Sequence, residues 1–256
     1  MKIPVSWLRE FVDVTDTPEG IGRRMSLHGF AVEGIEPAGS DTVIDFEVTA
    51  NRPDAMSVIG IAREVATAYS LPLRSMPDVG VPAGSGQGAE AQSAIGIDVH
   101  LDAPDLCPRY AAAAADVTIA PSPAWLAQRL TACGIRPISN IVDITNYVLL
   151  ELGHPMHAFD LGKLGGSQIR VRAARAGETL RTLDGQDRTL AASMLVVADA
   201  ARPVAVAGVM GGANSEVSAS TTAVVFESAY FAPLSVRRTS KALGLKTEAS
   251  MRFERG

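Results

Sequence analysis

Aromatic residues make up only 5% of this 256-residue chain: two tryptophans, four tyrosines and seven phenylalanines. Aliphatic side chains and alanine must therefore fill the core, and an apolar share of 47% is enough for a sizeable one. Two cysteines, Cys107 and Cys133, are too few for a disulfide framework, and neither has the CxxC partner of a zinc knuckle. Both read as buried or half-buried thiols. No apolar run reaches the roughly 18 residues that a membrane-spanning helix needs. The opening residues Met1-Lys2-Ile3-Pro4 lack the apolar core of a signal peptide, so the expected compartment is the cytoplasm, with no membrane partner. Basic residues number 23 against 28 acidic ones, a net charge of −5, which excludes a chain-wide basic surface for gripping DNA or RNA. A local patch survives: residues 233–256 hold six basic and two acidic side chains, a balance of +4.

The expected fold class is α+β, a small helical N-terminal module joined by a Gly/Pro/Ala linker to a mixed α+β domain. The first module, 1–74, carries Ser6 as the cap of a short helix over Trp7 to Val12. Thr17-Pro18 is a stronger helix start, followed by Ile21, Met25, Leu27 and a stop at Gly29. One half-buried strand is expected over Val43 to Val48, and a helix capped by Asp54 runs to about Tyr69. Residues 75–96, rich in Gly, Pro, Ala and Ser, read as a linker. From 97 to 256, strands are expected at 97–101, 109–117, 169–173, 194–198, 204–207 and 223–231. Helices are expected at 123–133, 141–152 and 233–243, and Asp184-Gly185 is a hairpin turn signal. Strands and helices do not alternate regularly, which argues against a Rossmann or TIM arrangement.

Five clusters carry chemistry. Asn51-Arg52-Pro53-Asp54 is a turn between strand and helix. Arg136, Asn140, Asp143, Thr145 and Asn146 interrupt an apolar helix with polar groups, either as a solvated face or as a site. In Gly153-His154-Pro155-Met156-His157, two histidines three apart with Glu151 nearby suggest metal ligands, but Pro155 breaks the helix that would align them. A single functional histidine on a loop fits better. Gly208-Val209-Met210-Gly211-Gly212 follows an apolar strand and permits close approach of a ligand or makes a bulge. It lacks the Lys-Ser/Thr ending of a P-loop. Glu227 sits in Val224-Val225-Phe226-Glu227-Ser228-Ala229-Tyr230-Phe231, where alternation places it on the face of Val225 and Ala229. A carboxylate there is either a partnered structural acid or an acceptor awaiting a ligand hydroxyl. No Gly-x-Ser-x-Gly elbow and no HExxH motif occurs.

Those clusters, in this order, resemble the beta subunits of bacterial phenylalanyl-tRNA synthetase. The likeness starts at Trp7-Leu8-Arg9-Glu10-Phe11-Val12 and runs through Val48-Thr49-Ala50-Asn51-Arg52-Pro53-Asp54 and Gly134-Ile135-Arg136. It continues in Val142-Asp143-Ile144-Thr145-Asn146, Pro155-Met156-His157-Ala158-Phe159-Asp160 and Glu227-Ser228-Ala229-Tyr230-Phe231, and ends in Thr247-Glu248-Ala249-Ser250 and Arg252-Phe253-Glu254-Arg255-Gly256. Two departures stand out. The family commonly inserts an OB-fold tRNA-binding domain where only Ala38-Gly39-Ser40 stands here, and it continues past Gly256 into further modules. The chain is thus expected to be an N-terminal piece.

The resemblance implies an editing domain over 97–256 that binds the acceptor end of tRNA(Phe) and hydrolyses mischarged Tyr-tRNA(Phe). It implies catalytic roles for His157, Glu227 and Asn146, with Glu227 accepting the tyrosine hydroxyl. Arg136, Thr145, Gly211, Gly212, Thr247 and Ala249 are implied as substrate-binding positions, the glycines by letting backbone approach the aminoacyl group and the last two by their small size. No metal or cofactor is implied for this piece. ATP and Mg serve the complete synthetase, whose aminoacylation site lies in a partner alpha subunit. The other readings are a non-catalytic structural module and a free-standing relative that binds a small aromatic ligand.

Overall fold

The computed structural model describes residues 1–74 and 96–256, so the linker expected over 75–96 lies outside the described residues except for Gly96. The described residues form two compact units, one from 1–74 and 121–154, the other from 96–120 and 155–256. This redraws the expected boundary at 97, because residues 121–154 pack with the N-terminal module. The reason is a shared core. Leu126, Leu130 and Leu150 are buried with Trp7, Leu8, Phe46 and Val58. The Trp7 ring stacks on Tyr147 at 4.8 Å, and its indole N–H donates to Glu151 at 3.0 Å. A Gly/Pro-rich stretch marks where a chain lacks core-forming residues; it does not say which helices will share a core.

The first unit contains β1 (Lys2–Pro4), α1 (Val5–Leu8), α2 (Pro18–Leu27), β2 (Val32–Ala38), β3 (Asp41–Phe46), α3 (Val58–Tyr69), α4 (Ala124–Ala132) and α5 (Asn140–Leu152). Its antiparallel sheet has the order β1-β3-β2, three strands where one was expected. β2 escapes notice because Gly34 and Pro37 interrupt it, and an edge strand tolerates such residues. Ala38 pairs with Asp41, so Gly39-Ser40 is a two-residue hairpin turn, with Gly39 at φ +65°. α1 is a single turn beginning at Val5, earlier than Ser6 suggested. α2 begins as expected: Thr17 accepts from the Gly20 N–H at 3.1 Å and Pro18 takes the first position. α3 is capped by Ser57, which accepts from the Gly60 N–H at 3.0 Å, and not by Asp54. Asp54 instead pairs bidentately with Arg52, which also reaches Glu64 at 2.7 Å, so the Asn-Arg-Pro-Asp turn is locked by an ion-pair network.

The second unit contains β4 (Asp98–Leu101), β5 (Arg109–Asp116), β6 (Met156–Asp160), β7 (Gln168–Ala173), β8 (Thr179–Arg181), β9 (Asp187–Thr189), β10 (Leu195–Ala198), β11 (Pro203–Val206), β12 (Met210–Gly211), β13 (Ala223–Tyr230), α6 (Pro233–Leu243) and α7 (Glu248–Phe253). A five-stranded sheet runs β12-β11-β10-β7-β4, with only the β4–β7 pair parallel. A three-stranded antiparallel sheet runs β5-β13-β6, and β8 and β9 make the hairpin that Asp184-Gly185 announced. β10 and β11 are buried along their whole length, which is why they read as unbroken apolar runs. Their valines share one core with Phe159, Val225 and Phe231. Helices beside several largely antiparallel sheets make the fold α+β, as expected.

Ser57 is buried and supplies the cap of α3. Ser57→Ala should lower stability by about 1 kcal/mol, read as a shift of the urea midpoint with an unchanged slope.

Candidate functional site

β13 is the middle strand of its sheet, and its neighbours set the geometry of the second unit's site. In register, Glu227 lies between Ala112 of β5 and His157 of β6. Directly paired residues share a face of the sheet. Glu227 and His157 therefore point the same way, on the face that also carries Tyr110, Phe159, Val225 and Ala229, all core residues. The face that alternation assigned to Glu227 is the one observed. The loop expected around His157 is instead strand β6, because the main chain beyond Pro155 pairs with β13.

Glu227 is 8% exposed. The Tyr110 phenol donates to its Oε2 at 2.5 Å, and Oε1 makes no hydrogen bond among the described residues. Burial raises the carboxyl to about 7, against the opposing pull of the Tyr110 hydrogen bond. The partnered-acid reading thus holds for one carboxyl oxygen, and the other is open. His157 is half-buried, with its ring edge-on to Phe159 at 4.5 Å. Burial lowers its pKa to about 4, so it is neutral at pH 7.

The paired glycines do permit close approach, but the chain's own groups make it. A Cβ on Gly211 would stand 2.5 Å from His157 Cε1 and 2.7 Å from Nε2, so the imidazole lies flush against the β12 backbone. Leu183, on the β8–β9 turn, touches the same spot, and its N–H donates to the Gly211 carbonyl at 3.0 Å. The space beside Gly212 is taken by the Val204 carbonyl, Asn214 and Leu180. Thr247 caps α7 in a capping box with Ser250, and its hydroxyl donates to the Val209 carbonyl at 2.9 Å. That bond ties α7 to the glycine loop. Ala249 is half-buried in the first turn of α7.

Three expected site residues belong to the first unit. Arg136 is exposed between α4 and α5. On α5, the Thr145 hydroxyl donates to the Val142 carbonyl at 2.7 Å, while half-buried Asn146 makes no side-chain hydrogen bond among the described residues. Asp143 is fully buried and accepts from Ser122 and from the Ile138 N–H, a structural role. Glu151 is likewise engaged, accepting from Trp7 and Tyr147. Among the described residues no group of three or more His, Cys, Asp or Glu is placed to hold a metal ion. Burial pushes the thiols of Cys107 and Cys133 up to about 12, as suits inert thiols. The sequence reading missed Tyr110 and Leu183. Alternation puts Tyr110 on one face of β5, but only the register shows that it reaches Glu227.

Glu227 and His157 set opposing pH dependences. Glu227 holds its proton up to about 7 in the fold and only to about 4.5 unfolded, so its contribution is complete below 4.5 and is lost as pH rises through 7. His157 titrates near 4 in the fold and near 6.5 unfolded, so its contribution is complete above 6.5 and is lost as pH falls through 4. Glu227→Gln removes only the first. Its stability relative to the parent should rise between pH 4.5 and 7 by roughly 3 kcal/mol, measured as the difference of denaturant midpoints across pH. A pH-independent difference contradicts the buried-acid assignment.

Residues 106–256 match the family model described as the B3/4 domain, a span that draws on residues of both units. The "Phenylalanine--tRNA ligase beta subunit" of Anaeromyxobacter dehalogenans is 56% identical over 217 residues, covering 84% of this chain and 26% of that protein. The protein of the same description from Moorella thermoacetica is 51% identical over 218 residues, with the same two coverages. That from Oleidesulfovibrio alaskensis is 45% identical over 250 residues, covering 96% of this chain and 30% of its own length. A solved N-terminal fragment of the phenylalanyl-tRNA synthetase beta-subunit from Pyrococcus horikoshii aligns with 97% of the chain at 14% identity and a TM-score of 0.48. The chain spans about a quarter of the length of the first two relatives. With more than half of its residues matched by the family model, the chain belongs to the B3/4 domain family, and over most of its length it is similar to phenylalanine--tRNA ligase beta subunits.

Proposed function

We propose that this chain is a piece of a phenylalanine–tRNA ligase beta subunit and that its second unit hydrolyses the ester of tRNA(Phe) mischarged with tyrosine. The observation that carries the reading is Glu227: a carboxyl buried in an apolar face, one oxygen held and the other open, with His157 beside it on the next strand. An aminoacylation pocket shaped for phenylalanine cannot strongly reject an isostere that merely adds a hydroxyl. A second pocket that needs the hydroxyl can. A tyrosyl side chain would donate to Glu227 Oε1, whereas a phenylalanyl one would leave it unpaired, at a cost of about 1–3 kcal/mol.

In the reaction, water attacks the ester carbonyl carbon, the bond to the terminal ribose oxygen breaks, and that oxygen takes up a proton. The products are tyrosine and tRNA(Phe). Water is the only co-reactant, and the reading assigns no metal or cofactor to this step. ATP and Mg belong to aminoacylation in the complete enzyme, with its alpha subunit. His157, neutral at pH 7 with a pKa near 4, is a weak base. It is therefore assigned to orienting the water or the terminal adenosine by hydrogen bonding. Within the second unit, the same reading gives half-buried Ala249 a contact with substrate. The basic segment 233–256 would meet the acceptor-end phosphates. Gly212 and Thr247, both engaged in the chain's own packing, favour the second reading, a purely structural module.

A deacylation assay on Tyr-tRNA(Phe) and Phe-tRNA(Phe) decides between them. The parent should hydrolyse the tyrosyl ester in preference. Glu227→Ala should lose that preference by at least tenfold, and His157→Ala should slow hydrolysis of both esters. Variants that match the parent in rate and preference would exclude the site, and a folded parent without activity would leave the structural module.

A further inference from the structure

We propose that Tyr110 is a positioning residue that holds the Glu227 carboxyl with one oxygen turned outward for a ligand hydroxyl, so that it shares in the selection of a hydroxylated aromatic side chain. The inference rests on the editing reading above and names a residue which that reading does not use. Among the described residues, the Tyr110 phenol is the only hydrogen-bond donor to Glu227. Of the other groups around it on that face, Ala112, Val225, Ala229 and Phe159 end in hydrocarbon, and the His157 ring makes no hydrogen bond to it among the described residues. A glutamate side chain has three rotatable bonds, and none of these neighbours fixes one by a hydrogen bond. The phenol does so at one point, Oε2.

Tyr110 is itself well anchored. It is buried, and it sits in the β5 ladder opposite Ala229, one same-face step along from the Ala112–Glu227 pair. Its ring therefore approaches Glu227 diagonally across the strand pair, a reach long enough for aromatic side chains. The result is a carboxyl preorganised at Oε2 and under-satisfied at Oε1. A ligand hydroxyl makes good that deficit, while a bare phenyl ring deepens it by excluding water. The tyrosine hydroxyl of the chain and that of the ligand then bind the two oxygens of one carboxyl side by side.

The test uses the 256-residue chain and Tyr110→Phe, which keeps the ring in the core and removes only the phenol oxygen. The ratio of kcat/KM for Tyr-tRNA(Phe) to that for Phe-tRNA(Phe) should fall roughly tenfold, through a higher KM for the tyrosyl ester with kcat little changed. In a Glu227→Ala background the same substitution should leave the ratio unchanged, since the group it positions is gone. Independently of activity, the Glu227 carboxyl followed by carbon-13 NMR should titrate at higher pH in Tyr110→Phe, because it loses the donor that favours its ionised form. An unmoved titration overturns the proposal, and so does an unchanged ratio. A ratio that rises also overturns it, and shows instead that the Tyr110 hydroxyl competes with the ligand for Glu227. A parent that hydrolyses neither ester overturns the editing reading and the selective role with it. That failure is visible in the parent alone, whereas failure of Tyr110 appears only in the variant.

Discussion

A carboxyl group that faces an apolar core must lose its water, and in the second unit Glu227 does so with a single phenol as compensation. Much of the site follows from that constraint. β13 must be the central strand, because only a strand paired on both edges can set Tyr110 on one side of the acid and His157 on the other. Ala112, directly opposite, ends at its Cβ and leaves the approach to the diagonal tyrosine. The same burial pushes Glu227 and His157 in opposite directions, so that an acid keeps its proton to about 7 while an imidazole stays neutral down to about 4.

The surroundings hold this arrangement in place. His157 rests on the β12 backbone because residue 211 has no Cβ. Thr247 caps the start of α7 and donates to the Val209 carbonyl, which ties α7 to the glycine loop. In the first unit a different polar knot does comparable work: Glu151 accepts from both Trp7 and Tyr147, whose rings stack, and Arg129 lies over Trp7 at 5.2 Å while donating to Tyr147. Each knot ties residues more than a hundred positions apart in Glu227–Tyr110 and Trp7–Glu151, so local sequence alone could not announce either.

Where a feature depends on a few neighbouring residues, it was legible. Thr17-Pro18 opens α2, Asp184-Gly185 turns a hairpin, and the alternation around Glu227 puts it on the buried face. Where two local signals compete, reading failed. Asp54, the expected cap, pairs with Arg52 in the turn before α3, and Ser57, three residues on, accepts from the Gly60 N–H instead. β2 and β6 were missed for a related reason: Gly34, Pro37 and Pro155 look like breaks, yet strand pairing carries the main chain past or away from each of them.

The residue types at the site, their order and the family were thus settled by the 256 letters, since composition and motif are local properties that need no folding to be read. Strand register and the division into units were not. Register brings Tyr110 to Glu227, and the shared core assigns α4 and α5 to the N-terminal unit. Both are decided by burial and pairing summed over distant segments, and no single segment carries that energy by itself.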